Sequence, residues 1–193
     1  ASLAQIETIL RAHPSVPVLV DEAYYEFCGQ TAVPLLARHD NLVITRTFSK
    51  AFALAGLRLG YALSNPAFIA ELSKVRIPYD VNSLAVVAAE AQLDRPQAWQ
   101  AYVAEVVQRA KPRVERFLRE HGVFFYPSAA NFLLVRPDDA RAAAEYLKAH
   151  DILVRPQRPP VGDCFRVSIG TVAEMRSFLQ IYAEYLQQAG AAA

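Results

Sequence analysis

A run of strand-forming residues, Leu42, Val43, Ile44 and Thr45, leads directly into the stretch TFSKAFALAGLRLGY at residues 47–61. Branched side chains of this kind suit a pleated, half-buried surface, so residues 41–47 are expected to form a strand. Lys50 then stands just past the strand's carboxyl end, the edge at which open α/β sheets bind ligands. Residues 16–20 form a second short apolar run, which ends on Asp21. If the two strands are parallel, Asp21 and Lys50 open onto one crevice. Residues 58–63 alternate well enough for a third strand.

Helices fill the spaces between. Leu3, Ile6, Ile9 and Leu10 keep helical spacing, with no capping residue ahead of Ser2, as though a helix were already under way. With no initiator methionine, the chain reads as the back part of a longer polypeptide. A short helical piece is expected around Leu35, Leu36 and Ala37. Asn65-Pro66 and Asn82-Ser83 are good helix starts. Arg95-Pro96 opens the longest helix, with Trp99, Tyr102, Val103, Val106, Val107, Ala110, Val114, Phe117 and Leu118 on one stripe. Pro112 should kink it and Gly122 should end it. After that the pattern changes to strands at 123–126 and 131–136, a helix at 138–149, strands at 152–155 and 164–169, and a last helix. Thr171 and Glu174 give that helix a capping box. The expected fold is therefore α/β, with one unit over residues 1–110 and a small α+β domain over residues 111–193. The helix at 96–121 bridges them.

Composition narrows the function. The 193 residues are 53% hydrophobic and carry a net charge of +1 with the signs interspersed. That pattern argues against a nucleic-acid stripe or a polybasic membrane patch. No apolar run approaches the ~20 residues that cross a bilayer. Cys28 and Cys164 fit neither a metal motif nor a disulfide framework, and His13, His39, His121 and His150 lack ligand spacing. No metal is expected, and reduced, core-packed thiols suit a cytoplasmic protein.

The chemistry gathers around Lys50. Phe48, Ala51, Phe52, Ala53 and Leu54 make an apolar setting that favours a neutral amine, the form that attacks carbonyl carbon. Thr47 and Ser49 supply hydroxyl donors, and Arg58 a planar fork suited to phosphate. A lysine beside a phosphate cradle is what a pyridoxal phosphate site requires, together with a carboxylate for the pyridine nitrogen. Asp21 is available for that role, although it could equally cap the following turn. Tyr24 could donate its phenol to the cofactor or belong to the core. Arg166, between Phe165 and Val167, is either a buried structural partner or a bidentate clamp for a substrate carboxylate. Arg155 could hold a second anion or lie at the surface. A cofactor-free scaffold has no need of Lys50, Asp21, Arg58 and Arg166 together.

The segments VLVDEAYYEF, TFSKAFALAGLRLGY, RIPYDVNSLAV, SAANFLLVR, ILVRP and FRVSIGT together resemble the histidinol-phosphate aminotransferases, fold-type I pyridoxal-phosphate enzymes. Asp80 stands where that family usually has asparagine. The resemblance implies that Lys50 carries the cofactor, Asp21 pairs with its ring nitrogen and Tyr24 meets its ring oxygen. Ser49 and Arg58 would hold the cofactor phosphate, with Thr47 assisting. Arg166 would bind the carboxylate of glutamate or 2-oxoglutarate, and Arg155 the phosphate of a phosphorylated imidazole substrate. The implied fold is the second portion of a large cofactor-binding domain, a mostly parallel sheet with flanking helices, followed by a small carboxy-terminal α+β domain. The implied assembly is a homodimer. Threonine-phosphate decarboxylases and aromatic amino acid aminotransferases share the lysine motif and are the alternatives. The family also carries an upstream half with a phosphate loop and a ring-stacking aromatic, so residues 1–193 alone are expected to bind cofactor poorly.

Overall fold

The structure is a computed structural model and describes residues 1–191. It divides into two compact units, residues 1–100 and 101–193. The sequence had placed the division at 110/111.

In the first unit, α1 (Leu3–Ala12) does not continue an earlier helix. Ser2 is its cap: the Ser2 hydroxyl accepts from the Gln5 amide, and the Gln5 side chain reaches back to the Ser2 N–H. Strand β1 (Val18–Asp21) pairs parallel with β2 (Leu42–Thr47), in a register that sets Asp21 opposite Thr45. Strand β3 (Gly60–Leu63) pairs antiparallel with β2, giving the order β1-β2-β3. A Cβ on Gly60 would come within 2.7 Å of the Arg46 carbonyl, so the close approach of β3 to β2 depends on glycine there. Leu10, Ala32, Leu35, Leu42 and Ile44 form the core under this sheet. The helical piece expected near Leu35 is a single 3₁₀ turn, Val33–Leu35. Past β3, α3 (Pro66–Lys74) is capped by Asn65 with proline in its first turn, and α4 (Ser83–Asp94) is capped by Asn82.

The expected long helix is present in three parts. Helix α5 (Gln97–Glu105) gives way to a π turn, Val106–Ala110, before α6 (Lys111–Glu120). Pro112 has no N–H for the Gln108 carbonyl, and the Lys111 N–H reaches back to Val106 instead. The wider turn also rotates Val107 out of the expected stripe, leaving it exposed, while Val106, Ala110, Val114 and Leu118 are buried.

The second unit holds a four-stranded sheet of order β4-β5-β7-β6, antiparallel throughout: β4 (Phe124–Tyr126), β5 (Phe132–Arg136), β6 (Arg155–Pro156) and β7 (Phe165–Ser168). The expected strand at 152–155 shrinks to a two-residue ladder at Arg155–Pro156, with Leu153 left exposed. Helix α7 (Ala140–Ala149) is capped by Asp139, and α8 (Val172–Ala191) by the Thr171–Glu174 box. Leu118, Leu133, Val135, Leu147, Phe165, Phe178 and Tyr182 are fully enclosed in this unit. His13, His121 and His150 cap helix carboxyl ends, whereas His39 is largely enclosed, 3.5 Å from Glu7. Among the described residues no helix is long and apolar enough to cross a membrane.

Candidate functional site

The parallel pairing of β1 and β2 carries Asp21 and Lys50 to the same edge of the sheet. Asp21 is the last residue of β1, and Lys50 follows β2 by three residues. Beyond Asp21 the chain turns into α2 (Tyr25–Cys28), a single turn ended by Gly29 in the left-handed conformation. Tyr24 sits at its start, and the Lys50 ammonium lies 5.6 Å from the Tyr24 ring centroid. Three expected cofactor residues therefore gather at one sheet edge.

The loop after β2 is built by its own polar groups. The Thr47 hydroxyl donates to the Leu59 carbonyl at 3.4 Å and accepts from the Ser49 amide at 3.0 Å. The Leu54 N–H returns to the Phe48 carbonyl, and the Ala53 N–H to that of Lys50. Ala53 and Arg58 both take positive φ, 57° and 56°, a conformation that costs non-glycine residues free energy. Two such residues within one short loop make it a place where backbone strain is held, as it often is around functional groups. The Phe48, Phe52 and Trp99 rings pack beneath it, with centroids 4.9 and 4.8 Å apart.

One expectation changes here. Phe48, Ala51 and Phe52 are buried, but Lys50 itself is exposed, so the apolar setting read around it does not enclose the amine. The hydrophobic side chains of the loop turn under it while the lysine turns out. Asp21 is likewise exposed, and its Oδ1 accepts from the Ala23 amide at 3.0 Å. It does cap the following turn, and its second oxygen stays open to solvent-side chemistry. Arg58 is exposed, with its guanidinium on the Ala55 carbonyl at 3.0 Å. Ser49 is half-buried.

The sequence reading passed over Glu22 and Arg46. Glu22 is the one buried charged or polar residue among those described. Its Oε2 accepts from Arg46 Nε at 3.0 Å, Arg46 NH2 at 2.9 Å and the Thr31 hydroxyl at 2.9 Å; its Oε1 accepts from the Ala32 amide at 2.6 Å. The Arg46 guanidinium also donates to Thr31 and lies 3.6 Å from the Tyr25 ring centroid. Burial works to lower the Arg46 pKa, but hydrogen bonds with Tyr61 and Glu22 outweigh it and hold the pKa above its ordinary value. Nearby, burial pushes the Glu26 carboxyl up. Removing one partner of a buried pair such as Glu22–Arg46 costs about 3–5 kcal/mol. The only signals in the sequence were a charged residue just past the first strand and one inside the second, and they become readable once the register is known.

Arg166 and Arg155 belong to the second unit. They stand directly opposite each other, Arg166 on β7 and Arg155 on β6. Like charges so placed repel unless an anion lies between them. Arg166 is half-buried, its guanidinium 5.2 Å from the Phe132 ring centroid, and its Nε is buried with no hydrogen-bond partner. No carboxylate pairs with it among the described residues. A buried, unpaired donor of this kind suits an anionic ligand.

Comparison with known proteins gives a consistent result. The family model described as aminotransferase class I and II matches residues 1–181. Histidinol-phosphate aminotransferase 2 of Nitrosococcus oceani is 40% identical over 185 residues, covering 93% of this chain and 51% of that protein. A dihydroxyacetone phosphate transaminase of Campylobacter jejuni is 35% identical over 193 residues, covering 98% of this chain and 52% of that protein. The crystal structure of histidinol-phosphate aminotransferase from Sinorhizobium meliloti in complex with pyridoxal-5'-phosphate is 28% identical, with a TM-score of 0.80 over 95% of this chain and 53% of that one. The chain spans about half the length of the curated relatives it matches.

Proposed function

The chain belongs to the class I and II aminotransferase family, whose members use pyridoxal 5'-phosphate, and from that premise we propose that it is the lysine-bearing part of a transaminase about twice as long. The reaction moves the amino group of L-glutamate to imidazole-acetol phosphate, yielding L-histidinol phosphate and 2-oxoglutarate. The observation that carries this reading is the delivery of Asp21 and Lys50 to one sheet edge by two parallel strands, with Ser49 and Arg58 on the loop that follows.

When bound, pyridoxal phosphate supplies an electron sink that lets the substrate's α-proton be removed. The rest falls to side chains. Lys50 would hold the cofactor through Nζ, and the same nitrogen would move the substrate proton. Asp21 uses its open carboxylate oxygen to keep the pyridine nitrogen protonated, and Tyr24 donates its phenol to the ring oxygen. Ser49 and Arg58 hold the phosphate, with Thr47 fixing the Ser49 amide. Arg166 clamps the glutamate carboxylate, and Arg155 takes the phosphate of the acceptor. The opposed arginines and the unpaired Arg166 Nε support the last two assignments. The complete enzyme acts as a homodimer in the cytoplasm.

The likeness to the Campylobacter jejuni protein favours a second reading with the same groups, in which dihydroxyacetone phosphate is the acceptor. Both acceptors are phosphorylated ketones. Borohydride reduction of the cofactor-loaded enzyme, followed by mass mapping, should place a pyridoxyl label on Lys50. Formation of 2-oxoglutarate from glutamate is then followed with each ketone in turn. An unlabelled Lys50 overturns the cofactor assignment. Carbon dioxide release from threonine phosphate, with no 2-oxoglutarate from either ketone, overturns the transamination.

A further inference from the structure

The assignments above leave the Glu22–Arg46 pair without a role, although it is the most enclosed charged contact in the first unit. Side chains 13% and 6% exposed, for Arg46 and Glu22, meet beside the residues that carry the chemistry. Glu22 follows Asp21 directly, and Arg46 precedes Thr47. In the parallel register Asp21 stands beside Thr45, and the Glu22 N–H continues the ladder onto the Thr45 carbonyl at 2.8 Å. Glu22 therefore stands beside Arg46 in the same register. Successive residues of a strand face opposite sides of the sheet. One side then presents Asp21 and Thr47, and the other presents Glu22 and Arg46. The exposure of Asp21 and the burial of Glu22 agree with that alternation.

We propose that Glu22 and Arg46, with Thr31, are positioning residues that lock the carboxyl ends of β1 and β2 together and so fix Asp21 relative to Lys50. The inference rests on the reading of those two residues as cofactor ligands. Three features carry it. The pair bridges neighbouring strands at the step where each turns towards its cofactor residue. It extends outward, since Glu22 also holds the Ala32 amide and Arg46 lies on the Tyr25 ring beside Tyr24. Finally, stability alone gives little reason to keep such a pair, because apolar residues of similar volume often serve a core equally well. Fixing a register is the best-attested use of such a pair, because its hydrogen bonds are made in one alignment of the two strands only.

The test uses the cofactor-loaded, full-length enzyme, with pyridoxal 5'-phosphate as the probe. Glu22→Gln, Arg46→Lys, the apolar double variant Glu22→Leu/Arg46→Met and the mild variant Thr31→Val are compared with the unaltered protein. Melting temperature, the visible absorption of bound cofactor against pH, and kcat and KM for glutamate are recorded for each. The double variant, which leaves the buried Ala32 amide unpaired, should lower the melting temperature and in addition shift the pH at which the absorption changes by about half a unit or more. Its kcat should fall about tenfold or more while KM stays within about twofold, the mark of a misaligned site rather than weakened substrate binding. Glu22→Gln and Arg46→Lys, which keep part of the hydrogen bonding, should fall between. Variants that move the melting temperature alone would make the pair merely structural and overturn the proposal. If the double variant does not fold, Thr31→Val decides by the same two readouts. An unaltered enzyme that takes up no cofactor fails earlier, and shows that the functional reading itself was wrong.

Discussion

The two units solve the burial problem differently. In residues 101–191 the sheet and its helices enclose Leu118, Leu133, Val135, Leu147, Phe165, Phe178 and Tyr182 almost completely. In residues 1–100 the core beneath the three strands is small, and large apolar side chains stay outside it: Leu19, Val75, Ile77, Tyr79, Leu84, Val87 and Leu93. Helix α4 shows the contrast most clearly. It is apolar on nearly every side, the pattern of a helix meant to be surrounded, yet only Ala85 and Ala89 are buried. The chemistry-bearing residues Asp21, Lys50 and Arg58 lie in this less enclosed unit and are exposed with it. The lesson is that the second unit encloses its own hydrophobic surface, while the first leaves much of its apolar surface exposed.

The largest expected effect tests the chemistry of the first unit. Lys50→Ala in the full-length enzyme should lower transamination by at least about 10²–10⁴-fold and abolish the borohydride label at that position. A label that simply moved to another lysine would break the assignment. Next comes the burial contrast. Leu147→Ala, which empties a fully enclosed site, should cost about 2–5 kcal/mol in the 1–193 chain, read by urea denaturation. Leu84→Ala, at 74% exposure, should stay within about 0.5 kcal/mol in that chain. In the full-length enzyme the Leu84 variant should become destabilising; if it remains neutral there, the exposed face has no partner and the contrast loses its meaning.

A smaller effect is expected at Arg166. Replacing it by alanine should raise KM for glutamate by about 10–100-fold, the worth of a charged hydrogen-bonded clamp, with no loss of the second unit's stability. The smallest concerns Tyr182, whose hydroxyl is buried without a partner. Burial, reinforced by Tyr185 and Asp138, raises its pKa well above the ordinary tyrosine value. The folded state therefore keeps this proton when the unfolded chain has released it. The associated stability is present below pH ~10 and is lost as pH rises through and beyond that value. Tyr182→Phe should be neutral or stabilising by about 1 kcal/mol near neutral pH. Its alkaline unfolding, followed by circular dichroism, should begin at higher pH than in the unaltered chain.

Much of this protein is determined along the chain itself. The Asn65 and Asn82 caps, the Thr171–Glu174 box and the Asp139 cap start helices where the sequence places them, because each is a contact within one turn. The lysine stretch is legible for the same reason: strand, loop and phosphate-type donors follow one another directly. Elements that depend on distant neighbours are not. The strand expected at 152–155 keeps only a two-residue ladder, since its β propensity has to find a partner in β7. Val107 leaves the predicted stripe because a π turn before Pro112 changes the helical phase. The exposure of Lys50, the opposition of Arg155 to Arg166 and the pairing of Glu22 with Arg46 all follow from register and loop path, which relate residues far apart in the chain. Local chemistry chose the residues, and tertiary structure chose their neighbours.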